Sequence, residues 1–199
     1  MSKVNVLEFP LPKDKRFELA VHALREGRAA EALQAAKALI DAGYPHAYTL
    51  AAAACERGGI GLEIDLASAL FYYRKAVEEV GALEAWLALG RMYYFGRGVE
   101  PDYEKALYYY STVYEETKGG IAAMMLGRMY LRGRGVPEDL ERAEKYLREA
   151  VAQGYALAST DLAAVNFRRR RVIRSVIYWL QGIWRALRLP RGDTRLRPY

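Results

Sequence analysis

Two glycine–arginine loops are the first candidates for chemistry in this chain. Residues 96–98 and 133–135 each read Gly-Arg-Gly, a pattern that superficially matches a phosphate-binding loop. A loop of that kind also needs a Gly-Lys-Ser/Thr run after a strand, and neither copy provides one. The recurrence of the tripeptide at one spacing instead favours a turn between two helices.

The remaining reactive side chains are scattered. His22 and His46 lie far apart, without a cysteine or carboxylate at the spacing that metal ligands require. Cys55 is the single cysteine and sits in an alanine-rich helical run, where it is expected to be a small core residue. No serine, threonine or cysteine has an obvious base partner. We therefore predict no catalytic residues, no metal or cofactor site, and no enzymatic activity.

The elements that position these residues follow from a repeat of 37 positions. LGRMYYFGRGVEPDYEKALYYYSTV begins at Leu89, LGRMYLRGRGVPEDLERAEKYLREA begins at Leu126, and the degenerate copy AACERGGIGLEIDLASALFYYRKAV begins at Ala52. Self-similarity at such a period is typical of stacked repeats, in which one unit alone cannot bury its apolar face.

Five sets of aligned residues define each repeat. They are Gly59/Gly96/Gly133, Gly61/Gly98/Gly135, Asp65/Asp102/Asp139, Ala69/Ala106/Ala143 and Tyr72/Tyr109/Tyr146. The glycines mark a loop that turns with positive φ or passes close to another backbone. The aspartate is expected to cap a second helix. The alanine lets two helices approach closely, and the tyrosine is expected to fill the gap beside it.

This pattern carries a family resemblance. The run A-x-x-x-L-G-x-x-Y-x-x-G-x-G-V-x-x-D-x-x-K-A-x-x-Y-Y is met from Ala85 to Tyr110, and again from Ala122 to Ala143 with Arg142 in place of the lysine. It resembles the Sel-one-like repeat family, a helix-hairpin relative of the tetratricopeptide repeats. The resemblance implies an all-α, right-handed α-solenoid of helix-turn-helix repeats that acts as an adaptor, with no catalytic residues.

The repeats and their flanks predict the domain organisation. The first copy departs from the pattern, because Ala53 replaces the glycine and Glu56 replaces the tyrosine. Shortened or altered units at both ends are expected to cap the stack. We predict one solenoid domain over residues 15–188, preceded by an extended segment (1–14) and followed by a disordered basic tail (189–199). The predicted repeat units are about 15–46, 47–81, 82–118, 119–154 and 155–188.

Charge is distributed unevenly along the chain. Residues 167–199 hold ten arginines and one acid, Asp193, which gives +9. The rest of the chain holds 30 − 10 = 20 basic and 24 − 1 = 23 acidic residues, which gives −3. A nucleic-acid binder would need basic residues along the whole solenoid, so nucleic-acid binding is only the weaker alternative. The basic end alone is suited to an acidic partner or to an anionic membrane.

One stripe of the first helices is a candidate partner-binding surface on the concave side of the solenoid. Arginine and aromatic residues recur on the stripe opposite the inner pattern, and these residue types often anchor interfaces. We predict that it binds an acidic segment of another protein, although a plain solvated surface fits the same residues. The predicted contacts are Arg57, Trp86, Arg91, Tyr94, Met125, Arg128, Arg132 and Arg168.

The C-terminal segment predicts an amphipathic helix with two possible roles. Its apolar positions run from Val172 to Leu187 at helical spacing. This face would cap the solenoid by packing on Leu162 and Val165, or it would lie in an anionic membrane surface. The residues predicted to contact a membrane are Arg171, Arg174, Trp179, Trp184, Arg185 and Arg188.

The N-terminal residues and the apolar stretches bear on location. Residues 1–20 lack an apolar signal region, and every long apolar stretch is broken by a charged or polar residue. A single cysteine suits a reducing compartment. We therefore predict a bacterial scaffold of the cytoplasm, or, if the last helix binds lipid, one peripheral to the inner face of the membrane.

Overall fold

A computed structural model of the chain describes residues 15–188, apart from the side chain of Val172. The predicted extended segment (1–14) and basic tail (189–199) lie outside the described residues. Within 15–188 the chain is all-α. Its helices are α1 (Lys15–Arg25), α2 (Ala29–Asp41), α3 (Ala47–Arg57), α4 (Leu66–Val80), α5 (Leu83–Phe95), α6 (Tyr103–Thr117), α7 (Gly120–Arg132), α8 (Leu140–Ala152), α9 (Ala156–Arg168) and α10 (Val172–Arg188).

The helices fall into two compact units. The first ends at Pro101 and contains α1–α5, and the second begins at Asp102 and contains α6–α10. The predicted repeat 82–118 therefore contributes α5 to the first unit and α6 to the second. A single domain over 15–188 stays a prediction.

The core of the first unit begins with small residues between its first three helices. Ala20, Leu39 and Ala47 are buried together, with Phe17 and Tyr44 packed around them. Because these alanines take up little space, the helix axes can approach closely, as helix-hairpin stacking requires.

The aligned aspartates begin the second helix of each repeat. A side-chain oxygen of Asp65 accepts a hydrogen bond of 2.9 Å from the backbone N–H of Ser68. Asp102 and Asp139 accept equivalent bonds of 2.9 Å from residues 105 and 142. Each bond satisfies an N–H that has no partner within the helix, so the predicted N-caps are confirmed.

The predicted conformation of the loop glycines is also confirmed. Gly98 has φ +70°, and a Cβ built on it would lie 2.5 Å from Cβ of Leu66, the first residue of α4. Gly135 has φ +71°, and its Cβ would lie 2.5 Å from the carbonyl oxygen of Tyr103, the first residue of α6. Within each unit, the loop of one repeat thus crosses the start of the preceding second helix, too closely for any side chain.

The aromatic residue that fills the core of the second helix differs from the prediction by one position. Tyr73 and Tyr110 are buried, whereas Tyr72 and Tyr109 are only half-buried. The reason is the helical period, because Tyr73 lies four residues after the fully buried Ala69 and shares its face.

Candidate functional site

Arg91 is held inside the first unit by a buried carboxylate. One Nη of Arg91 lies 2.6 Å from both oxygens of Glu56, and Nη1 of Arg97 lies 3.0 Å from Oε1. The hydroxyl of Tyr73 donates a bond of 2.9 Å to Oε2. The side chain of Glu56 is only 8% exposed. Burial, followed by the Glu56 charge, raises the pKa of Tyr73, so this hydroxyl stays a donor across the physiological range.

Arg128 occupies the same repeat position in the second unit and is held in the same way. Its Nε donates a bond of 2.5 Å to Oδ2 of Asp161, and Nη2 of Arg132 lies 3.8 Å from Oδ1. The side chains of Arg128 and Asp161 are 13% and 10% exposed. A guanidinium that neutralises a buried carboxylate is strongly held, because breaking the pair would leave an unpaired charge in low dielectric.

These two ion pairs involve two residues of the predicted partner-binding stripe. The structure assigns Arg91 and Arg128 to bonds between repeats, which leaves little of either guanidinium for a partner. Sequence reasoning missed both carboxylates. The available signal was an acidic residue in an otherwise apolar helix, since Glu56 stands where the repeat has tyrosine.

The expectation that Trp86, Tyr94 and Met125 lie on an open surface is wrong. They are 6%, 2% and 0% exposed. Eight of the 13 residues of α5 are buried, and nine of the 13 residues of α7. A stripe opposite the inner pattern is therefore covered as well, because a first helix in the stack packs on several sides.

Three arginines of the predicted stripe remain accessible. Arg57 is exposed at the end of α3. In the second unit, the side chains of Arg132 and Arg168 are 44% and 46% exposed. Nη1 of Arg168 donates bonds of 2.6 Å to Glu138 and to the carbonyl oxygen of Leu131, so Arg168 lies beside Arg132 at the end of α7.

A third buried carboxylate, Glu144, contacts arginines of α8 and of the segment that follows α9. Glu144, with its side chain 11% exposed, lies 2.5 Å from Arg148 and 2.6 Å from Arg169. Nη1 of Arg171 lies 3.5 Å from the same group. Arg171, a predicted membrane contact, therefore has part of its charge directed inward.

The last helix packs in the opposite orientation to the cap that the sequence predicts. Gly182 of α10 is buried, and its Cβ would lie 3.2 Å from Cβ of Ser159 on α9. Ser175 donates a bond of 2.9 Å to the carbonyl oxygen of Ala163. The side of α10 that carries small residues thus faces α9, because Gly182 and Ser175 allow the two helices to approach closely. The expected packing of the apolar face on Leu162 and Val165 is wrong.

The apolar side of α10 therefore faces outward. We call its seven large residues the outer face of α10, and each is 40–80% exposed: Ile173, Val176, Ile177, Leu180, Ile183, Trp184 and Leu187. Among the other predicted membrane contacts, Trp179 is 52% exposed and Arg174 and Arg188 are exposed. Arg185 is half-buried and donates a bond of 3.1 Å to the carbonyl oxygen of Val151.

Two other classes of site are absent from the described part of the chain. Residues 15–188 contain no cluster of three or more histidine, cysteine or carboxylate side chains placed to hold a metal ion. Over the same range, no helix combines the length and hydrophobicity needed to cross a bilayer. Cys55 is buried, as predicted, and burial raises the pKa of its thiol.

Comparison with known proteins places these observations in a family. The family model described as Sel1 repeat matches residues 45–79, 84–112 and 120–155. No curated protein matches the chain.

Solved structures share the fold. Protein c5321 is described as a protective antigen of uropathogenic Escherichia coli strains with an SLR fold. It is 23% identical to this chain, with a TM-score of 0.72. The match covers 86% of this chain but only 38% of that protein. A Sel1 repeat protein from Oxalobacter formigenes is also 23% identical, with a TM-score of 0.72. That match covers 90% of this chain and 71% of the other. MamA protein is 15% identical with a TM-score of 0.63 over 92% and 97% of the two chains. The predicted all-α solenoid class is confirmed.

Proposed function

Because this chain belongs to the Sel1 repeat family, whose members generally act as protein–protein interaction scaffolds, we propose that it is a non-catalytic scaffold that holds a segment of another protein. Repeats of this kind serve binding because their stacked helices create long surfaces. The buried ion pairs of Glu56 and Asp161 support the proposal, since they fix the orientation of successive first helices.

The proposed binding site rests on two accessible arginine side chains near the end of α7. Arg132 ends α7 and Arg168 bonds the carbonyl oxygen of the preceding residue, Leu131; each arginine has nearly half of its side chain exposed. Arg132 and Arg168 already contact the carboxylates of Asp161 and Glu138, and the partner would meet the exposed part of each side chain. We propose that an acidic segment of the partner binds here, because arginine forks pair with carboxylates in fixed geometry.

A pull-down from the native host tests this site. Tagged full-length chain is compared with Arg132→Glu/Arg168→Glu and with the control Arg25→Glu/Lys37→Glu, which makes the same charge change at exposed positions in the first unit. We expect a protein that is captured by the wild type and the control and lost from the site variant, with circular dichroism unchanged. Equal capture by all three chains would place the partner elsewhere.

A further inference from the structure

The outer face of α10 is apolar, and the opposite side of the helix packs on the second unit. Gly182 and Ser175 fix the helix on α9, so the apolar residues point away from that contact. Ile173 and Leu187, near the two ends of the helix, are 79% and 80% exposed. The face runs the length of a 17-residue helix, about 25 Å at 1.5 Å per residue. A continuous exposed apolar strip of this length marks an interaction surface.

The charges beside this strip have one sign. α10 carries three arginines and no acidic residue. Arg174, Gln181 and Arg188 recur every seven positions and therefore form a line along one edge of the outer face. The guanidinium of Arg188 lies 3.6 Å from the ring centre of Trp184, so cation and aromatic ring meet at the boundary of the apolar strip.

A cationic cleft continues the same edge at the beginning of the helix. It is lined by Arg170, Arg171, Arg174 and the apolar Ile173. Arg171 shares its charge with Glu144, whereas Arg170 and Arg174 are both exposed. Positive groups beside an apolar residue suit a phosphate whose attached chains enter an apolar layer.

We infer that α10 docks the protein on an anionic lipid bilayer, with its outer face in the acyl boundary and Arg170, Arg174 and Arg188 against lipid phosphates. A helix that lies in the interface buries its apolar face about 5–10 Å deep and keeps arginine and tryptophan at the headgroup level. This surface shares no residue with the proposed protein-binding site at the end of α7.

A second copy of the chain is a poorer occupant of the same face. Two outer faces packed antiparallel would cover the apolar strip but would place the arginine edges of the two identical helices on the same side of the contact. Residues 167–188 contain no acid that could compensate them. Like charges placed together destabilise such a contact, whereas a bilayer of anionic lipid supplies both the apolar layer and the opposite charge.

Vesicle flotation tests this inference on the full chain. Vesicles of phosphatidylcholine alone are compared with vesicles that contain phosphatidylglycerol, at low salt. We expect flotation only with the anionic vesicles. Arg174→Gln/Arg188→Gln should weaken binding by about fivefold for each arginine removed. The control Arg25→Gln/Arg57→Gln, which removes two exposed arginines from the first unit, should bind like the wild type.

Two further variants test the apolar contact itself. Ile173→Ser/Leu187→Ser should bind at least about tenfold more weakly, because both side chains lose their transfer into the apolar layer. Lipids with brominated chains should quench the tryptophan fluorescence of the bound protein. Trp179→Phe/Trp184→Phe retains only the buried Trp86 and should show little quenching.

Three outcomes would overturn the inference. They are no flotation with anionic vesicles, equal flotation with both vesicle types, and equal losses for the α10 arginine variant and its control. A concentration-dependent dimer that Ile173→Ser/Leu187→Ser abolishes, without vesicle binding by the wild type, would assign the face to a second copy instead.

Discussion

Arg91 and Glu56 form an ion pair with a buried carboxylate, with 2.6 Å between one Nη of the guanidinium and both carboxylate oxygens. The two residues are 35 positions apart and join α5 to α3. The residue that departs from the repeat pattern, an acid in place of tyrosine, is therefore the partner that fixes the arginine.

Replacing Arg91 tests what this pair contributes. Arg91→Met should lower the free energy of unfolding by about 2–3 kcal/mol, because Glu56 stays buried with only Arg97 and Tyr73 as partners. Arg57→Met, at an exposed neighbouring position, should stay within about 0.5 kcal/mol of the wild type. Urea unfolding followed by circular dichroism measures both. Equal values for the two variants would show that the pair adds no net stability.

The loop glycines allow strain and steric overlap to be separated. Gly43 and Gly98 both have positive φ, +83° and +70°, but a Cβ at Gly43 would meet no atom within 4 Å. Gly43→Val should therefore lose about 1–2 kcal/mol from backbone strain alone. Gly98→Val should lose about 3 kcal/mol or more, because its side chain also overlaps Leu66. Thermal melts that rank Gly43→Val as the more damaging change would contradict the loop geometry.

The cap of α6 predicts a pH dependence. Lys105 lowers the pKa of Asp102, because its ammonium lies 2.8 Å from one carboxylate oxygen and its backbone N–H bonds the other. A lowered folded-state pKa stabilises the fold above the ordinary value of about 4, and that contribution is lost as the pH falls through the lowered pKa. Asn caps helices as well as Asp but carries no charge. The melting temperature of the wild type should exceed that of Asp102→Asn at pH 7, and the gap should shrink towards pH 3. A gap that stays constant would exclude the charge as its cause.

The orientation of α10 predicts opposite results for its two sides. Gly182→Leu should destabilise the protein by about 1–3 kcal/mol, because the new side chain would force α10 away from Ser159 and Ala156. Leu187→Ser, at a position 80% exposed, should change stability by less than about 0.5 kcal/mol. Chemical denaturation of both variants decides the matter. The reverse order would mean that the apolar side is the packed one.

The sequence alone was enough to predict the repeat and the residues at its helix starts and loops. The period of 37 can be seen in the sequence directly, and the capping aspartates and loop glycines depend on neighbours a few residues away. The structure confirms the caps and the loop conformation. Helical spacing was likewise enough to predict an amphipathic last helix, and α10 has the apolar face that the sequence describes.

Tertiary structure decided which of these faces are covered. Arg91 and Arg128 look like surface cations in sequence, and only the packing of neighbouring repeats brings Glu56 and Asp161 within bonding distance. Whether the apolar face of α10 packs or points outward depends on how closely Gly182 lets the helix approach α9. Amphipathicity determines which side of a helix is apolar. The side that becomes buried is the one whose shape fits its neighbour, because close packing competes with burial of apolar area.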